Sequence, residues 1–175
     1  MNSKSKFLIR LFPFCLGLFI AGAFAMKWME GDLIYNWEKI SIFGLEIFYS
    51  KEKIVEILSG INDKVKTILG YHLSLDFIFM VGVYPGIACL CMIAAGKLKN
   101  KWIAWLLISL AILQIAAWVF DIIENYYLLK WLKNPVIGDE LGVYHIIVYS
   151  KWLIALSGAL LSLSILLLAR LTRNI

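Results

Sequence analysis

Four apolar runs, each about 20 residues or longer, divide the chain at roughly 7–26, 73–95, 102–129 and 144–169, and the stretches between them are short except for one. A ~30 Å hydrocarbon layer is crossed by about 20 apolar residues in a helix. The pattern predicts an all-α fold, a four-helix transmembrane bundle in a single domain, with an exterior segment over 27–71. In that segment Trp37 to Tyr49 is rich in aromatic and β-branched residues, and Ile40-Ser41-Ile42 and Glu46-Ile47-Phe48 flank Phe43-Gly44 as the arms of a short hairpin would. After Ser50, an N-cap residue, the positions Ile54, Ile57, Leu58, Ile61, Val65, Ile68 and Leu69 recur at helical spacing. Lys51, Glu52, Glu56, Asp63, Lys64 and Lys66 stand opposite them. An amphipathic helix, interruptible at Gly60, is expected there, lying on the membrane or over the mouth of the bundle.

Features inside the runs refine this picture. The first can be a retained span or a secretory signal peptide, since Ala23-Phe24-Ala25 follows a charged start and an apolar middle; its length favours retention as a span. The second contains Pro85, which removes a backbone donor and predicts a kink. Gly82 and Gly86 in the second run, and Ala155, Gly158, Ala159 and Ser162 in the fourth, are small enough for close helix contact. Lys130 to Gly142, with Asn134-Pro135 and Gly138-Asp139, reads as a second exterior loop.

Composition agrees with the hydropathy pattern: 62% of the 175 residues are hydrophobic, well above the roughly 45–50% of soluble domains. The net charge of +5 arises from topology rather than from a polyanionic partner. With both termini inside, the inner segments hold Lys4, Lys6, Arg10, Lys97, Lys99, Lys101, Arg170 and Arg173 and no acid, which satisfies the positive-inside rule. The outer segments, with Lys151 counted among them, balance. No basic patch with interleaved aromatics indicates nucleic acid. Cys15, Cys89 and Cys91 lie in apolar runs without metal-type spacing and read as small hydrophobes. A multi-pass protein of the cell membrane, the bacterial inner membrane in particular, is the expectation. Its partners are the lipid bilayer and a lipid or amphipathic ligand, with homo-oligomers or a larger membrane complex left open.

Candidate chemistry gathers at one depth. Counting about 20 residues outward from Lys101 reaches Asp121, from Lys97 reaches Phe77 beside Asp76, and from Arg170 reaches Ser150. His72, Asp76, Asp121, Glu124, Asn125 and His145 therefore form a polar layer at the outer hydrocarbon boundary. Ionisable groups at that depth need a partner or a purpose. His72, Asp76, Phe79 and Val83 follow one stripe of the second span, Gln114, Trp118, Asp121 and Asn125 one of the third, and His145, Tyr149 and Trp152 one of the fourth. Asp76, Asp121 and Glu124 are the candidate catalytic groups, and His72, Tyr84, Trp118, Asn125 and His145 the candidate binding groups.

The motifs D-x-x-F followed by Y-P (Asp76, Phe79, Tyr84, Pro85) and D-x-x-E-N (Asp121, Glu124, Asn125) resemble those of a group of small bacterial four-span membrane proteins to which no activity is attached. The resemblance covers roughly 50–127 and implies the architecture and the choice of site residues only. The function expected from the residues themselves is structural or accessory, the polar layer acting as a hydrogen-bonded network that pins three helices together. The alternative is a small membrane enzyme or binding protein for a lipid headgroup or amphipathic molecule. A carboxylate near a histidine would then serve as acid or base, or would hold a divalent metal, although the E-x-x-H spacing typical of such sites is missing. Tyr126, Tyr127, Trp131 and Trp152 are expected to form an aromatic belt.

Overall fold

The computed structural model describes residues 3–171, so Arg173 lies outside it. The long helices are α1 (Ser3–Met29), α3 (Asp63–Ala95), α4 (Lys101–Lys133) and α5 (Glu140–Leu171). All four are long and apolar enough to cross a membrane. Their outward faces carry Phe14, Trp105, Ile115, Leu153 and Leu167, all exposed, a distribution that water would penalise and lipid would not. α3, α4 and α5 pack on one another, whereas α1 packs chiefly on α3.

Small residues determine how close the helices come. A Cβ added to Gly82 would stand 2.6 Å from the Phe19 nitrogen and 2.8 Å from the Cys15 carbonyl oxygen, so α1 and α3 meet backbone to backbone at that level. Gly158 of α5 instead makes room for side chains, those of Ile87 on α3 and Gln114 on α4. The Gln114 amide there donates to the Ile154 carbonyl at 3.2 Å, tying α4 to α5. Cys15, Cys89 and Cys91 are free and buried, as small apolar residues would be.

A cap made from the segment between α1 and α3 closes one end of the bundle. The first element in it is a two-residue antiparallel pair, β1 (Ile34–Tyr35) with β2 (Glu38–Lys39), around Asn36 and Trp37, which have φ of 49° and 66°. Two consecutive left-handed residues match the right-handed twist of a two-residue hairpin, and Asn adopts that conformation readily. The hairpin expected over Ile40–Phe48 is not formed. Residues 44–48 make a π-helical turn, Gly44–Phe48, because Ile40 and Leu45 are buried in the cap core and Gly44 sits against the ring of Tyr49. Burial of that spacing overrides the β-propensity of the segment.

The amphipathic helix is present as α2 (Lys51–Gly60), with the Ser50 hydroxyl accepting from the Lys53 amide at its start. It ends at Gly60, where the Tyr35 ring leaves no room for a side chain. Asn62 then caps α3, accepting from the Val65 amide at 3.0 Å. Val65 and Leu69, expected in the exterior helix, belong to the first turns of α3, which extends about three turns beyond the apolar run. The stripe Ile54, Ile57, Leu58, Ile61, Val65 and Leu69 is buried against Leu128, Trp131, Tyr144 and Val148. It therefore lies over the bundle. The second exterior loop is shorter than the spacing of polar residues predicts, because α4 continues to Lys133 and α5 starts at Glu140. Trp131, expected in an aromatic belt, is completely buried, because the cap covers that end of α4.

Candidate functional site

The structure brings three of the predicted acids to one place and adds two groups. On α4, Asp121 and Asn125 are one turn apart and both are buried. Asp121 accepts from the Tyr84 hydroxyl of α3 at 2.7 Å and from the Lys151 ammonium of α5 at 2.6 Å, so both its oxygens are engaged. Glu124 lies 2.6 Å from Lys151, off the hydrogen-bonding direction, so this is an ion pair rather than a directed hydrogen bond. Asn125 donates from its amide to Asp76 at 2.7 Å and to the Leu73 carbonyl at 3.4 Å, which links α4 to α3.

Lys151 and Glu46 are the functional-site residues that sequence reasoning missed. Among the described residues Lys151 is the only buried cation, at 5% exposure, and Glu46 reaches it at 3.8 Å from the π-helical turn of the cap. Glu46 also accepts from the Trp152 indole N–H at 3.3 Å. Burial raises the Glu46 carboxyl above its ordinary value, and the attraction of Lys151 offsets only part of this. The signal for Lys151 was present: a single lysine in an apolar span, next to the residue where the depth count ends. Glu46 was similarly marked as a lone acid within Ile42–Phe48.

The remaining predictions divide. His72, Asp76 and Tyr84 line a cavity together with Asp121 and Asn125. Glu124 lies behind Lys151, outside the cavity lining, and Trp118 stacks on the far side of Tyr84 with ring centroids 6.5 Å apart. His145 is not brought to the cluster; its ring lies between those of Tyr144 and Tyr149. The expected stripe of α5 is displaced: Tyr149 is exposed, and the buried face runs through Tyr144, Val148, Lys151 and Ala155. Trp152, assigned to an aromatic belt, instead lines the cavity beneath Glu46, held by its N–H bond to that carboxylate.

The cavity, about 650 Å³, runs between α1 and α5 over the face of α3. Its end under the cap is polar, with Glu46, His72, Asp76, Asp121, Asn125 and Lys151. Its length is apolar, with Phe79, Val83, Ile87 and Leu90 of α3 facing Leu16 and Phe19 of α1 and Leu156 and Leu163 of α5. From Asp76 to Leu90 the helical rise is about 21 Å. Both ring nitrogens of His72 are buried without a hydrogen-bond partner. Among the described residues no three His, Cys, Asp or Glu side chains converge as a metal site requires; Lys151 occupies the space between the carboxylates. Searches against family models, curated proteins and solved structures found no match to this chain.

Proposed function

We propose that this is a multi-pass membrane protein that binds an amphipathic molecule, with the polar part at the Asp76–His72 end of the cavity and the apolar part along α3. The observation that carries the reading is the cavity itself: polar groups at one end only, apolar side chains along the rest, and a volume in the range of small-molecule sites. Asp121 and Glu124, already held by Lys151 and Tyr84, act as the frame. Asp76 and His72, which keep free acceptor capacity, reach the ligand and are the candidate acid–base pair if the bound molecule is also transformed. Both termini cytoplasmic, in a bacterial inner membrane, is the topology that the positive-inside bias favours, and it places the polar end at the outer leaflet.

The test is native mass spectrometry of protein released from membranes in mild detergent. A bound amphiphile is expected on the wild type and absent from Ala159→Phe, which fills the apolar part of the cavity. A second reading, favoured by the ion pairs that Lys151 makes across three elements, is a purely architectural network in an accessory subunit. Wild type that carries nothing, together with an Ala159→Phe variant of unchanged stability, would favour this second reading. Reporter fusions at each terminus test the orientation.

A further inference from the structure

Resting on the amphiphile-binding reading, we infer that the ligand of this cavity is a long single-chain amine, its ammonium seated at Asp76 and His72. Two independent observations support the choice. The first is a charge imbalance. Glu46, Asp76 and Asp121 line the polar end with Glu124 behind them, and the one buried ammonium among the described residues, Lys151, is committed to Asp121, Glu124 and Glu46. Lys27 at the rim is paired with Glu30 at 2.5 Å and cannot make up the difference. Asp76 has only a neutral amide, that of Asn125, as its partner. A half-buried acid without a countercharge favours a proton or a cation, and an anionic head here would add to the repulsion.

The second is His72. It is 5% exposed, it lines the cavity one helical turn from Asp76, and neither ring nitrogen has a partner. A buried polar group left this way costs free energy unless a ligand satisfies it. A neutral imidazole accepts one hydrogen bond, a carboxylate accepts several, and a primary ammonium donates three. An ammonium satisfies both groups and neutralises Asp76. A hydroxyl head could also reach both, donating to Asp76 and accepting from the His72 N–H, but it would leave the carboxylate without a countercharge. The apolar length of about 21 Å between Asp76 and Leu90 fits an extended long chain.

The experiment uses three probes with one tail and three heads, oleylamine, oleyl alcohol and oleic acid, titrated into the full-length protein in lipid nanodiscs at neutral pH. Binding is read by quenching of a fluorophore on a cysteine introduced at Leu156, which lines the tail region. Oleylamine is expected to bind on the order of tenfold tighter than the alcohol, and oleic acid weakest. In Asp76→Asn the preference of amine over alcohol should collapse while alcohol binding persists, and Ala159→Phe should abolish saturable binding of all three. Equal affinity for amine and alcohol, or tighter binding of the acid, would overturn the amine assignment and leave amphiphile binding standing. No saturable binding of any probe would overturn both.

Discussion

Lys151 Nζ lies 2.6 Å from Asp121 Oδ1, and both side chains are 6% exposed. This contact joins α5 to α4 in the part of the bundle where neither charge has water to turn to. Removing one partner of a buried pair leaves the other uncompensated, at a typical cost of about 3–5 kcal/mol. Lys151→Met is therefore expected to lower unfolding stability by that order in a detergent-unfolding titration. Adding Asp121→Asn and Glu124→Gln to it should recover much of the loss. Loss without recovery would show that Lys151 stabilises by packing rather than by charge.

The two acids on α4 should respond unequally. Asp121 accepts directed hydrogen bonds from both Lys151 and Tyr84, whereas Glu124 meets Lys151 off-axis and lies beside the Glu46 carboxyl. Asp121→Asn presents an N–H to one of two donors, and a lost hydrogen bond to a charged group costs about 1.5–3 kcal/mol. Glu124→Gln keeps an acceptor for Lys151 and should cost less. Melting temperatures of the two variants, measured side by side, check the order.

Glu46 ties the cap to the bundle through a pH-sensitive group. Its folded-state carboxyl titrates above its ordinary value of 4.5, so the folded protein keeps a proton that the unfolded chain releases. The stability this group contributes is complete below that ordinary value and is lost as pH rises through the folded one. Wild type and Glu46→Gln should melt at similar temperatures in acid, and the wild type should fall behind as pH is raised. A difference that moves in favour of the wild type with rising pH would mean that Glu46 acts as an ionised partner of Lys151.

The α1–α3 contact can be tested covalently. A Cβ at position 86 would lie 3.3 Å from the Cβ of Cys15, close to the separation in disulfides. Gly86→Cys, with Cys89 and Cys91 replaced by Ala, is expected to form an intrachain disulfide under mild oxidation, detected as the loss of two alkylatable thiols. Full alkylation after oxidation would place α1 elsewhere, or show that it had been removed as a signal peptide.

The spans were legible because a bilayer imposes its thickness on the chain, and counting residues from the inner lysines brought Asp76 and Asp121 to one depth before any coordinates. The stripe of α2 was legible for the same reason that any amphipathic helix is: Ile54, Ile57 and Leu58 recur at the helical period. Lys151 was not, because one lysine near the end of a span looks the same whether it extends to the surface or turns inward, and only its neighbours on α4 decide. Glu46 was hidden by its segment, whose β-branched residues match a strand as well as they match a buried turn. The stripe of α5 was displaced because the one histidine of that span, His145, outweighed Tyr144 and Val148, whose burial depends on a cap that sequence spacing does not position.

Because α1 leans on α3 and makes no substantial contact with α5, the side of the cavity between α1 and α5 is bordered by two helices whose exposed faces are apolar. In the membrane setting and with the amphiphile proposed above, a molecule dissolved in the bilayer would enter sideways, tail and head together, without crossing an aqueous phase. The quantity that sets occupancy is then the mole fraction of ligand in the membrane, not its concentration in the buffer. Diluting a sample with empty vesicles should empty the site, and diluting it with buffer should not.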